Sequence, residues 1–251
     1  MLRPRRGTSV ETFNQAQYDD LAVKSQDVYA NTKYDILEKY LRGQRGLRVL
    51  NAGCGSGELS LRLAARGHRV VGIDPEPSYV GLAVANAARG DYGGRASFEV
   101  ASIEGYTGPG GFDCVIATDV LEHIEDDRTA FAKMVSLVKP AGLVLITVPA
   151  GQWLFGYHDE HLGHFRRYNK KMLRALVSPL CHVRRMRYFG FTLVPVCYLY
   201  SKRLRRPYPV AEAADTRRRP FRALVLRGLM RMDRLLPLPF GTSLLMKGVK
   251  K

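Results

Sequence analysis

Arg48-Val49-Leu50-Asn51-Ala52-Gly53-Cys54-Gly55-Ser56-Gly57-Glu58-Leu59 decides how the chain is read: a short apolar strand, a turn with three alternate glycines, and a helix start. Glycine at 53, 55 and 57 leaves no side chain where the backbone must bend tightly and let a ligand lie against it. The helix that follows offers unpaired N–H groups to an anion. Downstream, His68-Arg69-Val70-Val71-Gly72-Ile73 reads as a second strand ending in Asp74. An acid about 20 residues beyond the glycine turn can accept hydrogen bonds from both hydroxyls of a ribose. Asp74 before Pro75 would also suit a turn or a helix cap. Together, strand, glycine turn, helix, strand and acid make one nucleotide-binding unit.

Working outward, apolar periodicity predicts a strand from Leu47, a helix at 58–66, strands at 68–73, 95–100, 112–118 and 142–148, and helices at 78–89 and 126–138. A helix at 170–178, a strand at 183–191 and a last strand at 242–249 complete the pattern. Strands alternating with helices imply an α/β, doubly wound, mostly parallel sheet, here of seven strands. Ligands of such sheets lie outside the carboxyl ends of the strands where the winding reverses, which puts Gly53, Asp74, Ser102 and Asp119 on one rim. Val28, Ile36, Leu37, Tyr40 and Leu41 stand at helical spacing ahead of the sheet. The expected organisation is an N-terminal helical cap (1–42), a core (43–190), a basic helical insertion (191–240) and the last strand (241–251).

A chain of 251 residues, 46% hydrophobic, can bury one substantial core. No stretch reaches the ~18 apolar residues of a membrane span, and no apolar run follows the basic Met1-Leu2-Arg3-Pro4-Arg5-Arg6-Gly7, so a cytoplasmic protein is expected. Cys54, Cys114, Cys181 and Cys197 are widely spaced and read as reduced packing residues. The formal charge of +16 is uneven: Arg184 to Arg234 holds 14 Lys and Arg against Glu212, Asp215 and Asp233, an excess of +11. Such an excess attracts polyanions, whether nucleic acid, an anionic membrane or an acidic substrate.

With these segments in view, the chain resembles the class I S-adenosylmethionine-dependent methyltransferases, over roughly residues 45 to 190. The glycine turn and Asp74 carry the resemblance. So do Phe112-Asp113-Cys114-Val115-Ile116-Ala117-Thr118-Asp119-Val120-Leu121-Glu122-His123-Ile124, similar to the family's fourth strand and following loop, and Gly142-Leu143-Val144-Leu145-Ile146-Thr147-Val148-Pro149, similar to its fifth. The resemblance implies S-adenosylmethionine as cofactor and no metal. It implies cofactor contacts from Asn51, Ala52, Gly53 and Gly55, from Asp74 and Pro75 at the ribose, from Ser102 and Ile103 at the adenine, and from Asp119 and Val120 at the methionine end. Phe13-Asn14-Gln15-Ala16-Gln17-Tyr18-Asp19 looks like the segment whose tyrosine, Tyr18, reaches the methionine carboxylate. Asn51 and Ser102 depart from the family, which more often carries acids there. His123 is read as a base or as a structural hydrogen-bonding residue.

After the fifth strand, the run Gly156-Tyr157-His158-Asp159-Glu160-His161-Leu162-Gly163-His164-Phe165-Arg166-Arg167-Tyr168 is dense in groups that bind or titrate, and resembles a loop of a bacterial subgroup of these enzymes. His158, His161 and His164 are candidate bases, oriented by Asp159 or Glu160. Three histidines could also hold a metal, but Gly163 interrupts the helix and the spacing is not that of a zinc helix. Trp153, Tyr157, Arg166, Arg167 and Tyr168 are candidate substrate contacts, the arginines as forks for a carboxylate or phosphate. Packing of the loop on its own sheet is the plain alternative.

The insertion reads as amphipathic basic helices, with Leu224, Val225, Leu229, Met232 and Leu236 on one face. That face either covers the active site as a lid or docks on an anionic membrane or lipid-linked substrate through residues 191–236. The expected function is O-methylation of a carboxylate or hydroxyl on a small natural product, a peptide or an anionic lipid-linked molecule. Two alternatives stay open: an RNA methyltransferase with the insertion as phosphate track, although no RNA-binding signature accompanies the charge, and a non-catalytic binding protein of the same fold.

Overall fold

The computed structural model describes residues 28–206, 220–236 and 238–251. Tyr18 and the segment of the expected cap before Val28 lie outside the described residues. The first described helix, α1 (Val28–Tyr40), leads to β1 (Arg48–Ala52), α2 (Glu58–Ala65), β2 (Arg69–Asp74), α3 (Pro77–Ala88), β3 (Ala96–Val100) and β4 (Phe112–Thr118). Then follow α4 (Asp127–Leu137), β5 (Val138–Pro149), α5 (Tyr157–Leu162), α6 (Lys170–Val177) and β6 (Cys181–Phe189). The insertion holds α7 (Val194–Cys197), which runs into a π-helix (Tyr198–Leu204), and α8 (Pro220–Leu235); β7 (Ser243–Lys250) ends the fold.

The seven strands form one sheet in the order β3-β2-β1-β4-β5-β7-β6. β1 to β5 pair in parallel, and β7 runs antiparallel between β5 and β6. The winding therefore reverses between β1 and β4, and the glycine turn leaves β1 beside the end of β4. Strand alternation splits the core in two. Phe112, Val115 and Ala117 of β4 pack on one face with Phe131 and Met134 of α4, while Cys114 and Ile116 join Leu59, Leu63 and Leu37 on the other. The four cysteines are buried and form no disulfide among the described residues, as expected of packing residues.

Element ends follow local chemistry. α4 stops at Leu137 and β5 begins at once, because Pro140 drives the residue before it away from helical geometry. The strand then passes a register shift against β4, with Ala141 at φ 59, before the regular stretch expected from 142. β6 ends at Phe189, two residues before expectation, where Gly190 takes φ 79; a Cβ there would meet Thr242 Oγ1 at 2.1 Å.

α1 docks on α2 through the buried Glu38, which pairs with Arg62 and Arg66. α8 lies across α1 and the turn after β6, burying Met230 and Asp233; the Asp233 carboxylate accepts from the Thr192 N–H and hydroxyl. The expected apolar stripe is not its covering face: Leu224, Val225, Leu229, Met232 and Leu236 are all exposed. Among the described residues no helix is long and apolar enough to cross a membrane.

Candidate active site

The glycine turn is closed by the acid of the next strand. The Gly55 N–H donates to Asp74 Oδ2 at 2.9 Å, the Glu76 N–H donates to Oδ1 at 3.0 Å, and the Cys54 N–H donates to the Ile73 carbonyl at 3.0 Å. Gly53 has φ 68, and a Cβ on it would stand 2.4 Å from Val120 Cγ2. The bare backbone of the turn is therefore held against the loop after β4. Asp74 is buried while Pro75 stands exposed at the rim, and the buried Ser56 hydroxyl has no hydrogen-bond partner among the described residues. A glycine cradle, an acid at its mouth and an unsatisfied hydroxyl beneath it fit a nucleoside ligand.

Asn51 and Ala52 behave otherwise than expected. Ala52 is fully buried in the core, and the Asn51 amide is buried and donates to Ser60 Oγ of α2 at 2.9 Å. Asn51 ties strand to helix through its amide nitrogen, while its Oδ1 has no hydrogen-bond partner among the described residues. Ile103 is likewise turned into the core with Tyr106 and Phe112, which corrects the expectation that it offers a face to a base. Ser102 stays half-buried at the rim, its hydroxyl accepting from the Gly105 N–H at 3.1 Å.

At the other end of the rim, Asp119 follows β4 with φ 55 and accepts from Thr147 Oγ1 at 3.1 Å. Its other oxygen pairs with the buried ammonium of Lys33 from α1. Burial alone would pull the Lys33 pKa down, but the charge and hydrogen bond of Asp119 together with the neighbouring Tyr29 and Tyr34 hold it above the usual range. Tyr29 packs beside Lys33, 5.1 Å from its ring centroid, and its hydroxyl bonds Thr242 and Ser243. The sequence reading did not single out Lys33. Its signal was a cation within the buried stripe formed by Ala30, Ile36, Leu37 and Tyr40 at helical spacing.

The loop after β5 is organised by one buried carboxylate. Asp159 accepts from His164 Nδ1 at 2.8 Å, from Arg167 Nε at 2.7 Å and from the Gly156 N–H at 3.0 Å. Burial would raise its pKa, yet the bonds from His164 and Arg167 win and hold it at about 2. The His164 ring meets His123 edge-on, centroids 4.6 Å apart. Beside them lies Glu122, fully buried, neither carboxylate oxygen having a hydrogen-bond partner among the described residues. Burial first, and then the Asp119 charge, push its pKa well above the carboxylate range. Ligand atoms of Glu122, His123 and His164 lie within 4.8 Å of one another, the spacing of groups that could converge on one cation.

The three histidines of the loop do not converge. Burial pulls the His158 pKa down to about 4, a poor base at neutral pH, and its backbone N–H donates to Ser201 Oγ. His161 lies on the exposed side of α5, stacked on Tyr157 at 5.9 Å. Only His164 meets the acid expected to orient a base. The arginine pair also needs correction. The buried Arg167 binds Asp159 and the Ala150 carbonyl, because a guanidinium out of water needs a fixed counter-ion. Arg166 donates to the Ile124 and Glu125 carbonyls and pairs with Asp127. Tyr168 is buried, its hydroxyl donating to Asp127 at 2.7 Å. Arg166 and Tyr168 tie the loop to the turn after β4, while Arg167 holds the loop to itself and to the end of β5. Trp153 and Tyr157 remain at least partly accessible.

Residues 49–142 match a family described as methyltransferase domain. A ubiquinone biosynthesis O-methyltransferase of Bradyrhizobium sp. (strain ORS 278) is 31% identical over 121 residues, 48% of this chain and 47% of that protein. The protein of the same description from Methylocella silvestris is 38% identical over 104 residues, 41% of this chain and 40% of its own. The chain thus spans less than half the length of these curated relatives. Among solved structures, Haemonchus contortus phosphoethanolamine N-methyltransferase 2 in complex with S-adenosyl-L-methionine superposes with TM-score 0.66 at 17% identity, over 99% of this chain and 61% of that one. Residues 49–142 thus match a methyltransferase domain, and they lie in a seven-stranded sheet that shares the fold of the methyltransferase it superposes on.

Proposed function

We propose that this chain transfers a methyl group from S-adenosylmethionine to an oxygen of a small acceptor, and that the oxygen is a hydroxyl. The hydrogen bond between His164 Nδ1 and Asp159 carries the reading. A buried carboxylate can only accept, so it fixes the proton on Nδ1 and leaves Nε2 as the basic nitrogen. A carboxylate acceptor would need no base and would call on the arginine pair, which is engaged inside the protein. The O-methyltransferase relatives support the oxygen acceptor.

In this reading the backbone of Gly53 and Gly55, the Asp74 carboxylate and the Lys33–Asp119 pair hold the cofactor's ribose and methionine ends. S-adenosylmethionine, when bound, supplies a methyl already activated by its sulfonium. The protein's work is then to align the acceptor with that methyl, exclude water and remove one proton. His164 Nε2 would take the proton of the acceptor hydroxyl, leaving its oxygen free to receive the methyl that the bound cofactor would supply. Asp159 stabilises the resulting imidazolium. Trp153 and Tyr157 are the aromatic groups left to contact the acceptor.

The test is methyl transfer from labelled S-adenosylmethionine to a panel of phenols and carboxylic acids. His164→Gln should lower kcat on a hydroxyl acceptor by about a hundredfold. Its KM for the cofactor should stay unchanged. Wild-type kcat in this variant, or transfer to carboxylates alone, would overturn the base assignment.

A further inference from the structure

The exposed face of α8 continues into an aromatic cluster on the loops. At 3.6 residues per turn, Leu224, Val225, Leu229, Met232, Leu235 and Leu236 fall within about 140° of the helix surface. All six are exposed, Leu224 by 67% and Leu235 by 65%. Met230 and Asp233 hold the helix down on its other side, so this apolar arc is free of the core. Arg227 and Arg231 flank it, both exposed.

The chain leaves α8 and reaches Phe240, whose ring lies 4.8 Å from Phe191 and 6.4 Å from Trp153. Trp153 in turn stands 6.3 Å from Tyr198, the first residue of the π-helix. Trp153, Tyr198, Leu199, Leu204 and Phe240 are all exposed. Lys202, Arg203, Arg205 and Arg206 are exposed on the same helix and its exit, Arg205 paired with Glu160. Contiguous exposed apolar area of this kind marks an interaction surface. A tryptophan and a tyrosine beside leucines, with exposed cations on the same helix, suit the boundary between headgroups and acyl chains.

We infer that this face docks on an anionic lipid bilayer, with the α8 leucines and Trp153 entering the interface and the arginines engaging lipid phosphates. The charge selects this occupant. The exposed Arg203, Arg206, Arg227 and Arg231 on or beside this face oppose a second copy of it and favour an acidic surface. The face lies beside the loop that carries the candidate base, so docking would present the site to an acceptor partitioned in lipid. The docking itself stands independently of methyl transfer.

Trp153 is the chain's single tryptophan and reports on the face directly. The experiment is sedimentation of the full chain with vesicles of phosphatidylcholine alone or mixed with phosphatidylglycerol, in rising salt, with Trp153 emission followed in brominated lipid. The expected result is binding to the phosphatidylglycerol vesicles that weakens with salt, and quenching of Trp153. The double variant Leu224→Glu, Leu235→Glu should bind about tenfold or more weakly with an unchanged melting temperature, since both side chains are exposed. No binding to anionic vesicles, or binding without Trp153 quenching and indifferent to the double variant, would overturn the inference. So would concentration-dependent self-association abolished by that variant, which would assign the face to a second copy.

Discussion

Replacing Asp159 by asparagine keeps the shape of the side chain and removes its charge. The carboxylate accepts from His164, Arg167 and the Gly156 N–H, and its pKa stands at about 2 against an ordinary 3.8. At 1.36 kcal/mol per unit, that difference is about 2 kcal/mol of stability at neutral pH. Stripping a buried ion pair of one member costs about 3–5 kcal/mol, here because the buried Arg167 loses its counter-ion. The two figures describe overlapping interactions and are not added.

In a domain of this size, 2–5 kcal/mol corresponds to a fall of about 5–15 °C in melting temperature. The folded pKa lies below the unfolded value, so the contribution is complete above 3.8 and is lost as pH falls through about 2. Thermal melts followed by circular dichroism between about pH 2 and pH 7 should show Asp159→Asn below wild type at neutral pH, the gap closing with acid. A variant melting within about 1 °C of wild type at neutral pH would refute the assignment of Asp159 as organiser of the loop.

Gly53→Ala places a Cβ 2.4 Å from Val120 Cγ2 at φ 68; strain of about 1–2 kcal/mol and a displaced loop should lower affinity for S-adenosylmethionine more than about tenfold by calorimetry. Glu122 carries a raised pKa, so the folded state holds a proton that the unfolded chain releases above the carboxylate range, and stability falls as pH rises. Glu122→Gln should remove that slope, visible as a higher melting temperature than wild type at alkaline pH. Lys33→Met should weaken cofactor binding by about tenfold, since a charged hydrogen bond is worth ~1.5–3 kcal/mol, and unchanged affinity would separate Lys33 from the site.

Local chemistry made the sheet readable in advance. β1, the glycines and Asp74 follow from backbone sterics and strand periodicity, and all seven strands appear within a few residues of expectation. The errors arose where a side chain could satisfy its charge inside the protein. Arg166, Arg167 and Tyr168 looked like substrate contacts because sequence cannot show that Asp127 and Asp159 wait for them across the fold. Asn51 found Ser60 nine positions on, within the same strand–helix unit. Lys33 was missed because helical periodicity weighs apolar residues, and a buried cation reads as an interruption until its partner on β4 is seen. The apolar stripe of α8 was legible as a stripe. That it faces outward depends on Met230 and the buried Asp233, which hold a different side against α1 and the Phe191 turn.

The most direct test of the account is calorimetric titration of the folded protein with S-adenosylmethionine and S-adenosylhomocysteine, wild type beside Asp74→Ala. The account predicts micromolar binding of both ligands and its loss in the variant, because Asp74 both closes the glycine turn and would accept from the ribose. Absence of binding to either ligand by a well-folded wild-type sample would contradict it.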